Sequence, residues 1–137
     1  MTLSLSRGLV NISELMPGFL YAEYQGMATE SMVPPITAWL ERRIAEGRRV
    51  AIAVDATNLS SYETGYRKGW SQWLSVHRRD TEAVMILFRS NLVRMGISVV
   101  NMVIGTLIEP YSDRQLFERA VEDMRERLQP RSSATSV

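Results

Sequence analysis

The stretch that decides the fold runs from Arg48 to Trp73. It reads Arg-Arg-Val-Ala-Ile-Ala-Val-Asp over 48–55, Ala-Thr-Asn-Leu-Ser-Ser-Tyr-Glu-Thr-Gly over 56–65, and Tyr-Arg-Lys-Gly-Trp-Ser-Gln-Trp over 66–73. Val50 to Val54 is a continuous apolar run with β-branched side chains, which predicts a central strand buried on both faces. Asp55 ends that run, and a hydroxyl-rich loop is expected to follow. Tyr66, Trp70, Trp73, Leu74 and His77 then fall on one face of a helix, with Arg67, Lys68, Gln72, Ser75 and Arg78 on the other. In open α/β sheets, ligand-binding groups gather at the carboxyl ends of such strands.

Toward the N-terminus, Leu9–Leu15 and Phe19–Gln25 read as two strands. Met16-Pro17-Gly18 between them supplies the proline and glycine of a type II turn. Leu20, Ala22 and Tyr24 share one strand face. Pro34-Pro35 suits a first helical turn, since the missing amide protons have no intrahelical partner there. Ile36, Trp39, Leu40 and Ile44 give that helix its apolar stripe, and Gly47 stops it.

Toward the C-terminus, Ala83–Phe88 is a second buried strand. Ser90 or Asn91 can cap the helix that follows. From Leu92 to Ile104 the strongly polar side chains are Arg94, Ser98 and Asn101, one thin stripe on a mostly apolar cylinder. Such a helix is either nearly buried or faces a partner or ligand. Thr106–Glu109 reads as a short strand. Ser112-Asp113-Arg114-Gln115 gives a capping box, and Phe117, Ala120, Val121, Met124 and Leu128 form a last amphipathic helix.

The order is β-β-α-β-α-β-α-β-α. This is an α/β chain with a single mixed β-sheet, parallel in its crossover units. Residues 1–128 read as one domain and 129–137 as a disordered polar tail. A chain of 137 residues with 45% apolar and 23% charged residues can bury a real core. A net charge of +1 makes no general electrostatic case for nucleic acid or a membrane surface. With no cysteine there are no disulfides, thiol catalysis or thiolate metal sites. The segment 92–104 is shorter than the ~20 residues that span a bilayer, so no stable membrane insertion is expected. The opening residues do not read as a signal peptide. A soluble, cytoplasmic protein is expected.

Three segments carry a resemblance: Val50–Asp55 with its loop, Val84–Phe88 with the helix from Ser90, and Tyr111-Ser112-Asp113 opening the last helix. Over roughly residues 5–128 the pattern resembles the STAS domains, and most of all the SpoIIAA-like branch of bacterial anti-sigma-factor antagonists, which borders a family of lipid-transfer domains. The resemblance implies a non-enzymatic signalling domain that works through protein contacts. It also implies a hydroxyl at the start of the second helix that a partner kinase phosphorylates. The expected Asp-Ser-Ser/Thr-Gly corresponds here to Glu63-Thr64-Gly65. Glutamate replaces aspartate and one hydroxyl residue is missing. Thr64 would be the acceptor, with Ser61 and Ser60 just upstream. The lipid-transfer neighbours imply an apolar ligand pocket instead.

A helix N-terminus suits a phosphate on Thr64, because amides and dipole stabilise the anion. The plainer role for Ser61 or Thr64 is a helix cap alone, and such residues are common caps. Asp55, Asn58, Tyr62, Glu63 and Arg67 are the residues expected to meet a protein partner, an anti-sigma-factor-like kinase or other regulator. An aspartate ending a strand also bonds local amides. Met95, Val99, Met102 and Trp70 are the candidates for an apolar interface or pocket, serving a homodimer or a lipid-like ligand. His77 has no second histidine or cysteine beside it in sequence to make a metal site, so packing or capping is its expected role. No catalytic set and no cofactor motif is legible. Arg42, Arg43, Arg48, Arg49, Arg67, Lys68, Arg78 and Arg79 are balanced by Glu118, Glu122, Asp123 and Glu126 on the last helix.

Overall fold

The computed structural model describes residues 2–5 and 8–129. The strands are β1 (Thr2–Leu5), β2 (Gly8–Met16), β3 (Phe19–Ala28), β4 (Val50–Tyr62), β5 (Thr81–Phe88) and β6 (Ile108–Tyr111). The helices are α1 (Val33–Ala45), α2 (Thr64–Val76), α3 (Asn91–Ile104) and α4 (Arg114–Leu128). One mixed sheet has the order β1-β2-β3-β4-β5-β6. Its first three strands pair antiparallel and the last four pair parallel. The tail expected from residue 129 lies, beyond Gln129, outside the described residues.

Alternation along the strands sends side chains to two cores. Leu20, Ala22 and Tyr24 of β3, with Val50 and Ile52 of β4, meet α1, α2 and α3 on one face. Ala51, Ala53, Ala83, Met85 and Leu87 meet α4 on the other. Three alanines on that side leave room for Phe117, which is fully buried. The Pro17-Gly18 turn forms as expected, with Gly18 at φ +90°. Glu14 ties this turn to α1. Its carboxylate accepts from the Gly18 amide at 2.8 Å and from Arg43 at 2.7 and 2.8 Å.

The structure corrects five local readings. It adds a strand to the expected order, since β1 (Thr2–Leu5) precedes the hairpin and pairs antiparallel with β2. The expected loop after Asp55 is strand as far as Tyr62, because β3 also runs on to Ala28 and offers it a ladder. Gln25 pairs with Asn58, Gly26 with Leu59, Met27 with Ser61 and Ala28 with Tyr62, across two register shifts. Pairing overrides the low strand propensity of serine and asparagine there. β6 begins at Ile108 rather than Thr106. Gly105 and Thr106 hold positive φ at the end of α3, and the Asn101 side chain accepts from the Leu107 and Ile108 amides. The cap of α4 is Asp113, not Ser112. Its Oδ1 accepts from the Gln115 and Leu116 amides at 2.8 and 3.2 Å. Neither Ser61 nor Thr64 caps α2, since Glu63 holds the N-cap position and Thr64 is already helical. For α3, Ser90 is the cap and accepts from the Val93 amide.

Candidate functional site

The β4–α2 junction brings the candidate acceptors to one edge. Ser60 and Thr64 are exposed and Ser61 is half-buried. No side chain caps the first turn of α2. Glu63 turns away and accepts from the Glu30 amide at 2.7 Å. The Glu30 carboxylate lies where a Cβ on Gly65 would have to sit, so this position admits only glycine without a shift. The open N-terminus of α2 is thus bracketed by two carboxylates.

The expected partner contacts do not converge. Asn58 is exposed on the extended strand and Glu63 is held by Glu30. Asp55 points to the α4 side and is only 4% exposed. Its Oδ1 accepts from the Thr57 amide at 3.0 Å and the Thr57 hydroxyl at 2.7 Å. Its Oδ2 accepts from Arg114 at 3.1 Å. Burial alone would raise the Asp55 pKa. The Thr57 hydroxyl and amide and the Arg114 guanidinium outweigh burial and hold the carboxyl below its usual range. Asp55 is therefore a bracket between β4 and α4. Arg114 stands 59 residues away in sequence, and no local pattern announces it.

Tyr62 and Arg67 lie on the opposite side, where the sheet and helices α2 and α3 line an apolar pocket of about 100 Å³. Tyr62 donates to the Leu92 carbonyl at 3.4 Å, and its ring fills the space beside Gly96. Ile52, Val54, Val84 and Ile86 form the sheet wall, and Trp70, Leu74, Val93 and Ile97 line the helix side. Two phenols meet within it. Tyr66 donates to the Tyr24 hydroxyl at 2.7 Å, with the rings edge to face. Burial pushes the Tyr66 phenol up to about 12, and burial together with the Tyr66 partner pushes Tyr24 well above its ordinary value. The buried Trp70 Nε1 lies close enough to both phenol oxygens to favour their phenolates, yet makes no hydrogen bond in this geometry.

Of the four residues proposed for an apolar site, only Trp70 lines this cavity. Met95, Val99 and Met102 lie on the outside of α3, 62%, 41% and 85% exposed, with Leu92 and Val103 beside them. The reason is rotation about the helix. The inward arc is Val93, Gly96, Ile97, Val100 and Ile104, and the methionines fall on the flank. His77 stacks on Trp73 at 4.2 Å, with Nδ1 3.1 Å from the Trp73 carbonyl. Among the described residues, no three histidine, aspartate or glutamate side chains gather as metal ligands, and no helix is long and apolar enough to cross a membrane.

A hairpin leading into a parallel sheet, with three helices on one face and one on the other, is a SpoIIAA-like, STAS-type fold. Solved structures share it, three of them as follows. One is an uncharacterized protein of the DUF3478 family with a SpoIIAA-like fold from Shewanella loihica, with a TM-score of 0.61 and 16% identity over 88% of this chain and 98% of that one. A second is the anti-sigma factor antagonist SpoIIAA in its unphosphorylated form, at TM-score 0.58 and 16% identity over 81% of this chain and 95% of that one. The third is an anti-sigma factor antagonist from Mycobacterium paratuberculosis, at TM-score 0.59 and 14% identity over 88% of this chain and 100% of that one. At such identities the likeness shows the fold. No family model matches the chain, and no curated protein matches it at a significant level.

Proposed function

We propose that the chain is a non-enzymatic regulatory domain, cytoplasmic, that binds a protein partner at the β4–α2 edge and is released by phosphate on Thr64. The partner is a kinase-type regulator of the sort that anti-sigma-factor antagonists oppose. The observation that carries the reading is the placement of Thr64, exposed at the first position of an uncapped helix in this fold. Ser61 and Ser60 are the neighbouring acceptors. A phosphate adds nearly two negative charges. The α2 amides favour that charge, while the Glu63 and Glu30 carboxylates repel it. Phosphorylation would therefore strain the Glu63–Glu30 bond and reshape the edge that Asn58, Glu63 and Thr64 present.

Support for a non-enzymatic role comes from His77, which is stacked on Trp73 rather than set against a hydroxyl. The exposed apolar flank of α3 is a second contact surface, and we propose a second copy of the chain as its occupant.

The test uses a partner captured from the native host and measured for affinity. Thr64→Ala should bind as the wild type does, and Thr64→Glu should bind about tenfold more weakly, or ~1.4 kcal/mol, with the melting temperature little changed. If both variants bind identically to the wild type, the switch is wrong.

A further inference from the structure

The outer flank of α3 carries a regular pattern. Leu92, Met95, Val99 and Met102 are spaced three, four and three residues apart, with Val103 beside the last, and all are exposed. This is the spacing of a narrow seam along which one helix packs on another, knobs into holes. The inward arc of Val93, Ile97, Val100 and Ile104 already faces the core, so the seam is left for a second helix. No charge lies on it. Arg94, the one charged residue of α3, belongs to the polar stripe with Ser98 and Asn101. The seam exposes on the order of 500 Å² of apolar surface. Two such seams together bury about 1,000 Å², the size at which a specific interface begins.

The seam is also uneven. Met102 is 85% exposed and Leu92 44%, and Met95 likewise stands further out than Val99. A parallel pair would set Met102 on Met102 and hold the recessed ends apart. In an antiparallel pair each projecting methionine meets a recessed residue of the other copy, an adaptable side chain against a hollow. Antiparallel helices also bring opposite dipole ends together. They send Arg89 and Arg94 of the two copies to opposite ends.

We infer that two copies pair through α3 in antiparallel register, with Leu92 of one against Met102 of the other and Met95 against Val99. This seating rests on the second copy proposed for the flank and fixes how that copy lies. It also places the β4–α2 edges. Tyr62, at the end of β4, donates to the Leu92 carbonyl, so each edge lies beside the first turn of its own α3. The 14 residues of α3 rise roughly 20 Å. The two edges therefore sit at opposite ends of the paired helices, and a dimer offers two separate edges rather than one joint surface.

The chain has no cysteine, so introduced thiols report the contact directly. Leu92→Cys and Met102→Cys are mixed and mildly oxidised. The mixture should give a covalent dimer with one chain of each. Either variant alone should lose it, since like positions lie about 15 Å apart along the helices, beyond disulfide reach. A second pair of variants reads the register without oxidation. Leu92→Lys and Met102→Glu should each reduce the dimer seen by sedimentation, and the double variant should restore it, because each lysine then faces a glutamate. The seating is overturned by self-linking of either cysteine variant alone, by a wild-type dimer whose cysteine variants never link when mixed, or by a double charge variant as weak as the singles. Those outcomes leave the second copy in place. A chain that stays monomeric at every practical concentration, whether or not its flank binds phosphatidylcholine vesicles, removes the second copy and the seating together.

Discussion

Asp55 shows how much one buried carboxylate can join. Its depressed pKa has a definite consequence for stability. A group held below its unfolded value stabilises the fold above that value, ~3.9 for aspartate, and loses the contribution as pH falls through the folded pKa. Arg114 is half exposed, so solvent weakens its share, and the two Thr57 bonds supply most of the effect. Asp55→Asn should cost about 1–3 kcal/mol at pH 7. Urea unfolding should show that deficit shrinking as pH falls from 5 toward 3, because the wild type loses what the variant already lacks. Parallel pH profiles for the two proteins would assign the titration to another group. The local half of this arrangement was legible, since an aspartate ending a strand seeks nearby amides. Arg114 was not, because its contact is made by folding α4 back across the sheet. Tyr24 and Tyr66 repeat the lesson. Each could be placed on an inward face, but nothing in their spacing says that their hydroxyls meet.

At the scale of elements, helices were easier to read than strand ends. The apolar stripes of α1, α2 and α4 mark their buried faces directly. The run Val50–Val54 marks only the half of β4 that is covered on both sides. Its outer half alternates Leu59, buried, with exposed Asn58 and Ser60, and becomes strand because β3 lies alongside it. The methionines of α3 could be seen to be apolar, but which flank they occupy depends on how Gly96 packs. A Cβ at Gly96 would come within 2.5 Å of the Tyr62 hydroxyl. Gly96→Ala should therefore destabilise the protein by about 1–3 kcal/mol, although alanine is the better helix former by ~1 kcal/mol. Adding Tyr62→Ala should show a favourable coupling in a double-mutant cycle, because the clash is gone. Additive losses would mean that α3 shifts to accept the methyl group without strain.

For the whole molecule, the exposed flank of Leu92, Met95, Val99, Met102 and Val103 is the feature that a lone, solvated domain has least use for. Sedimentation should reveal a concentration-dependent dimer, and Met95→Glu with Met102→Glu should return it to monomer without lowering the melting temperature. A wild type that stays monomeric at every practical concentration would remove the second copy as occupant.

The sheet has a further property. Its strands lie side by side in the order in which the chain makes them. No late strand must wedge between two earlier ones, and each α-helical crossover delivers the next strand to a free edge. A chain leaving the ribosome can begin with the antiparallel hairpin and extend the sheet one unit at a time. Every strand pairing joins consecutive strands, the antiparallel ones across short turns and the parallel ones across a helical crossover. The growing edge finally stops at β6, a strand of four residues carrying Pro110, which has no amide proton to offer the next. The order of synthesis and the architecture of the sheet are thus the same list, read once in time and once in space.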